Sequence, residues 1–428
     1  MFRKFFQIFW IAAILSGLAQ STHAQDHPQD HATDPLFDTI TNSAREHQTQ
    51  LDFDGIHFSG PAWDRLIEEG RNAHFFLIGE EHGIAENPKL AAALFLELQH
   101  AGYERLGIEI SPTMAIELDD AIREGGMDAL QAFYAQPGGE PAFFGMKEEA
   151  EMLVAIRQSS AHSDPIFWGF DYEVLSDRQL IEALRAMDMP VAARSALAEL
   201  KDASDSSWAR HSETGDPRFI FSFGGDAGLV RAVREAWPER DEHASRILHT
   251  LEETLAINAL FLEGQNWASN SRRATLIRKN FLDYWHVQMS RGSMPKIMVK
   301  MGASHLVRGR SNSEAFDLGM LLPALAEING TQTFSVLVLP GAQSQTAVFD
   351  PVTLAFNPAP PKDGYARDLA PLVAAASDEG FTLIDLRQLR GIRGLTQSTV
   401  NPNLLRTIMG YDMLLVMSGS TASSDLTE

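Results

Sequence analysis

The chain has no cysteine in 428 residues. Disulfides, thiolate nucleophiles and lipid attachment at a processed cysteine are therefore excluded. Positive charge is also scarce: 35 Lys and Arg stand against 57 Asp and Glu, a formal net charge of −22. Such a balance argues against nucleic acid and anionic membrane surfaces as partners. No Gly-x-Ser-x-Gly elbow occurs, and Ser304 lies on no such turn. No internal repeat is found.

What is present begins with a basic start (Arg3, Lys4), an apolar stretch from Phe5 to Leu18 and small residues up to Ala24. The stretch is short for a membrane span, so residues 1–24 read as a secretory signal cleaved after Ala24. Cleavage removes two positive charges and no acid, which takes the net charge from −22 to −24. An exported chain without cysteine suggests a periplasmic or secreted protein with no stable membrane insertion after cleavage. Residues 25–50 are polar and without apolar period, and are expected to form a loose arm. Its His27 and His31 read as solvated. Residues 419–428 are expected to be a disordered tail.

Between these ends lies one domain, 51–418, with 44% of the whole chain hydrophobic and a sizeable core expected. Strands are predicted over 74–79, 104–110, 165–171, 295–302, 333–339, 380–385 and 411–417. Helices are predicted over 88–101, 112–124, 146–160, 177–188, 245–263, 270–291 and 364–377, with Asn87 as a cap, Pro88 in the first turn and Gly102 as the stop. The alternation implies an α/β fold, a mostly parallel central sheet with helices on both faces. Residues from about 176 to 292 show no strand and read as a large helical insertion covering one end of the sheet.

Four apolar runs end in or beside an ionisable group. "HFFLIGEEHG" ends on Glu80, Glu81 and His82; "LGIEIS" carries Glu109; "FWGFDYE" closes on Asp171; "MGAS" leads to His305. In open α/β sheets ligands bind outside the carboxyl ends of the strands, where these groups would meet. Alone, each has a plainer role: Glu81 solvated, Glu109 a buried hydrogen-bond partner, Asp171 a turn cap, His305 a neutral structural histidine. Together they suit acid–base chemistry. A histidine held by a carboxylate is a ready general base, and a second can protonate a leaving group or hold an oxyanion. Water activated by His82 would attack an ester, lactone or similar acyl group of a small molecule. Alternatively His82, Glu109 and His305 would ligate a divalent metal.

The order of "LIGEEHG", "LGIEIS", "FWGFDYE" and "MGASHLVRG" resembles the erythromycin esterase-like and ChaN/Tiki-like superfamily. "RRATLIRKN", "FDLGMLLPAL" and "YDMLLVM" resemble weaker family segments, and the similarity spans about 74 to 417. The resemblance implies that His82 is the general base, Glu80 and Glu109 are pocket carboxylates and His305 is the second histidine. Asp171 shares the site, and Glu81, Arg273 and Arg308 contact substrate. Two departures stand out. One residue rather than two separates glutamate from histidine in the first motif, closer to the ChaN form. Gly302 occupies the place, three before the last histidine, where esterases carry another histidine. Macrolide hydrolysis is therefore not implied. An esterase-like hydrolase needing no cofactor ranks first, a metal-dependent hydrolase or peptidase of Tiki type second, and a ChaN-like haem-binding protein third.

Overall fold

The run Phe75–Glu80 is buried at every residue, as a strand must be when both sheet faces are covered. Its side chains alternate: Phe75 and Leu77 enter one apolar cluster, Phe76 and Ile78 the other. These two clusters are the cores on the two faces of a nine-stranded sheet. The computed structural model describes residues 35–162 and 164–426; the expected signal, 1–24, and the first part of the arm lie outside the described residues.

The strands are β1 (Gln48–Phe53), β2 (Phe58–Ser59), β3 (Phe75–Glu80), β4 (Tyr103–Ile108), β5 (Phe167–Gly169), β6 (Lys296–Gly302), β7 (Thr333–Pro340), β8 (Thr346–Asp350), β9 (Ala355–Ala359), β10 (Gly380–Asp385) and β11 (Met413–Ser418). The large sheet has the order β2-β1-β10-β11-β7-β3-β6-β4-β5, and β8-β9 form a separate hairpin. The six strands from β11 to β5 run parallel, while β10 and β1 add antiparallel at one edge. The α/β architecture with a mostly parallel sheet is therefore as expected. Because β3, β6, β4 and β5 lie side by side and parallel, their carboxyl ends open on one crevice.

Every regular element between Asp177 and Ser290 is helical. The helix from Pro112 runs on to Tyr134 rather than ending at 124, through a kink at Gly125 and Gly126. Asn87 does not cap its helix: Glu86–Leu98 starts two residues before the expected Pro88, and the Asn87 amide is turned to Glu80. The segment expected near 364–377 breaks into two short helices, Asp363–Asp368 and Ala370–Val373.

Both expected ends are corrected. Within the predicted loose arm, Pro35–Glu46 is a helix that buries Ile40, Thr41 and Ala44, a narrow stripe among polar residues. Gln48 to Leu51 then pair antiparallel with β10. The predicted tail is built into the fold. Ala85 N–H donates to the Thr421 carbonyl at 2.9 Å and Lys147 N–H to that of Ser424 at 2.8 Å. Glu86 and Glu148, at the starts of two helices, accept backbone N–H groups of Thr421 and Ser424. Small polar residues gave this segment no apolar period, yet they satisfy helix-start acids that would otherwise be buried without partners.

Candidate functional site

Glu80 is the last residue of β3 and lies in register with Gly302 at the end of β6. Gly83, three residues on, has φ 87, and a Cβ there would fall 2.3 Å from the Ala347 carbonyl oxygen, so only glycine fits. Its carbonyl accepts N–H groups of Ala347 and Ser423, which fixes the turn carrying His82.

Two carboxylate–histidine pairs face each other across Glu109. Glu80 Oε1 holds His82 Nδ1 at 3.0 Å, and Asp317 Oδ2 holds His305 Nδ1 at 2.7 Å. The free ring nitrogens turn to the same carboxylate: His82 Nε2 is 3.5 Å from Glu109 Oε2, and His305 Nε2 is 3.3 Å from Glu109 Oε1. The Gly302 N–H donates to Glu109 Oε2 at 2.6 Å. A Cβ at residue 302 would meet His82 Nε2 at 3.1 Å and Glu109 Oε2 at 3.2 Å, so the glycine leaves room for this arrangement. Phe143, in the left-handed region at φ 64, stacks on the His82 ring with centroids 4.1 Å apart.

Behind this floor, Arg273 reaches in from the helix Asn266–Ser290. It donates to Glu109 Oε1 at 2.8 Å and through Nε to Asp171 at 3.0 Å. Asn280, seven residues on, donates to the Phe170 carbonyl at 2.7 Å and pins the helix to the end of β5. On the other side Lys300, fully buried on β6, gives its ammonium to Glu80 at 2.7 Å and to Glu149 at 2.5 Å.

These contacts set the charges. Burial raises the proton affinity of Glu109, but His305, His82 and Arg273 overcome it and hold this carboxyl well below its ordinary range. Burial likewise opposes ionisation of His305, and Glu109 reverses this, raising it to about 10. For His82 the same contest, burial against Glu109 and Glu80, ends above the ordinary imidazole value. Burial lifts Glu149 to about 7.

A cavity of about 170 Å³ opens on this floor. No residue between 110 and 301 lines it. Its walls come from segments 302–312, 362–369 and 403–411, so the helical insertion does not enclose this cavity. The insertion instead supplies Arg273 from beneath.

Of the residues singled out from sequence, Glu80, Glu81, His82, Glu109 and His305 line the cavity. Asp171 and Arg273 lie behind Glu109 and line a smaller recess there. Glu81 accepts from the Tyr365 hydroxyl at 2.5 Å. Arg308 is elsewhere: its guanidinium pairs with Asp412 at 3.2 Å and is absent from the cavity wall. Sequence reasoning missed Lys300, Glu149, Asp317 and Phe143. Lys300 left a signal, a lysine set between Val299 and Met301 in an otherwise apolar strand; Asp317 left a weaker one in "FDLG".

Glu109, Asp171 and His305 can present donor atoms within 4.8 Å of one another, a set a divalent metal could use. It differs from the expected His82, Glu109 and His305. The Arg273 guanidinium already bonds both of its carboxylates, so an ion there would have to displace the protein's own cation. The residues do not fit a metal without that rearrangement.

No family model and no curated protein matches the chain. Solved structures do. A Bacillus cereus protein aligns over 91% of this chain and 99% of its own, at 14% identity and a TM-score of 0.54. A succinoglycan biosynthesis protein aligns over 92% and 99%, at 13% identity and 0.55. A histidine-to-asparagine mutant of the erythromycin esterase EreC, in its open conformation, aligns over 85% and 94%, at 17% identity and 0.51. At such identities the likeness is one of fold, and the fold of this chain is erythromycin esterase-like.

Proposed function

We propose that the chain is an exported hydrolase in which His82 draws a proton from water as that water attacks the acyl carbon of a small ester. The observation that carries this reading is the pair of carboxylate–histidine units directed at Glu109 on the cavity floor. Glu109 is too acidic to act as base, and His305 at about 10 is too basic to be neutral near pH 7. Lys300 and Arg273 are bound in ion pairs. His82 is left as the group on the cavity floor that can take up a proton, its affinity held above the ordinary imidazole value by Glu109 and Glu80. His305, cationic, is suited to stabilise the oxyanion that develops on the carbonyl oxygen and then to protonate the leaving alkoxide. Glu80 fixes the His82 tautomer through Nδ1, and Phe143 fixes the plane of its ring.

The cavity, at about 170 Å³, is below the usual range of roughly 300–1,000 Å³ for drug-sized ligands. That favours a small acyl substrate over haem. The Arg273 contacts favour hydrolysis without a bound metal over a Tiki-type metal site. Assay of the purified protein on short-chain acyl esters is expected to show turnover, with His82→Ala reducing kcat by at least about 10²-fold, the low end for losing a general base, while circular dichroism stays unchanged. Equal turnover by a folded His82→Ala variant would remove the mechanism.

A further inference from the structure

The acids in the cavity wall are all satisfied by the protein. Glu80 is held by Lys300, His82 and Asn87. Glu109 is held by Arg273 and the Gly302 N–H. Glu81 accepts from Tyr365, and Asp368 accepts from the amides of Asn401 and Asn403. The cations are not balanced in the same way. Arg406, partly buried on the helix Pro402–Gly410, donates through Nε to the Arg310 carbonyl at 3.0 Å and through one terminal nitrogen to Asn403. Among the described residues it has no carboxylate within ion-pair distance, and its second terminal nitrogen has no hydrogen bond. Lys362, also in the wall, touches an acid only at 4.0 Å from Glu81. Arg406 thus brings to this cavity wall a positive charge that no carboxylate of the described residues pairs, in a chain whose overall charge is −22.

A guanidinium anchored at two of its nitrogens has its plane set in advance, which is what recognition of a carboxylate needs. We propose that Arg406, assisted by Lys362, is a carboxylate-binding subsite, so that the ester taken by this cavity carries a free carboxylate besides the acyl group that reacts. The inference deepens the hydrolase reading and rests on it. One open guanidinium nitrogen and one ammonium match the two oxygens of a monoanion better than the three of a phosphate. A free carboxylate elsewhere on the substrate would also hold the scissile group against the floor, converting remote binding into orientation.

Monomethyl and dimethyl succinate differ at this point in charge and by one methyl group, and succinate itself tests binding without chemistry. With the full chain, kcat/KM for the half-ester is expected to exceed that for the diester at least tenfold, mainly through KM. In Arg406→Gln that ratio should collapse toward one, and Arg406→Lys should restore part of it. Succinate, measured by calorimetry, should bind the wild type and at least tenfold more weakly to Arg406→Gln. A ratio near one in the wild type, or an equal effect of Arg406→Gln on both esters, overturns the subsite while leaving the hydrolase standing. Succinate binding that depends on Arg406 without turnover of either ester supports the subsite and overturns the hydrolase. No succinate binding and no charge preference overturns the inference outright. Tighter binding of methyl phosphate than of succinate would overturn the choice of carboxylate.

Discussion

His82 and His305 share one carboxylate, yet their second partners and surroundings set their proton affinities apart. Both are raised, His305 to about 10. A base works only when neutral, so activity should rise as pH climbs through the His82 value, which lies above 6.5. It should fall again near pH 10 as His305 loses its proton. The expected kcat/KM profile is a bell on the alkaline side of neutral, and an acid limb below pH 6 would contradict these assignments. Removing the Asp317 charge with Asp317→Asn should move the falling limb to lower pH, because that carboxylate helps hold the His305 proton.

Lys300 is a second residue-scale case. Its ammonium has no exposure to water and bridges Glu80 to Glu149. Lys300→Met would leave two buried carboxylates facing each other, a loss of roughly 3–5 kcal/mol for a broken buried pair. The urea midpoint checks this; a change below about 1 kcal/mol would show the pair to be weakly coupled to the fold. Adding Glu149→Gln should recover part of the loss, since a neutral amide removes the repulsion.

Among the elements, the C-terminal segment after β11 ties together parts of the fold distant in sequence. It satisfies the starts of two helices through Glu86 and Glu148, and Ser423 N–H bonds the Gly83 carbonyl beside His82. Hydrogen bonds of this kind contribute about 1 kcal/mol each. Deleting residues 419–428 is therefore expected to lower stability by at least about 2 kcal/mol, with an unchanged slope in urea, and to lower turnover by loosening the Gly83 turn. A truncated protein with the parent's midpoint would show that the segment is ornamental. Nothing in "SGSTASSDLTE" advertises this, because small polar side chains and backbone supply its hydrogen bonds and its apolar contacts with the core come from the isolated Ala422 and Leu426. The helix Pro35–Glu46 escaped for a related reason: its buried stripe is three residues wide. The β3, β6 and β7 strands were legible because buried parallel strands read as near-continuous apolar runs.

For the molecule as a whole, the meeting of Glu80, Glu109, Asp171 and His305 was legible once the strand ends were read together, because parallel neighbours deliver their last residues to one edge. Their partners were not, since Glu149, Asp317 and Phe143 come from helices and loops whose distance from the sheet no local pattern encodes. The division of labour between floor and walls was equally hidden. The groups proposed to react stand at or just after strand ends and are locked by buried ion pairs, whereas much of the wall comes from 362–369 and 403–411, two stretches outside the sheet. A lineage carrying this scaffold can therefore exchange what it grips by altering a handful of helix and loop positions, with the proton chemistry beneath left as it was. On the hydrolase reading proposed above, substrate range can drift on such a molecule while the reaction stays the same.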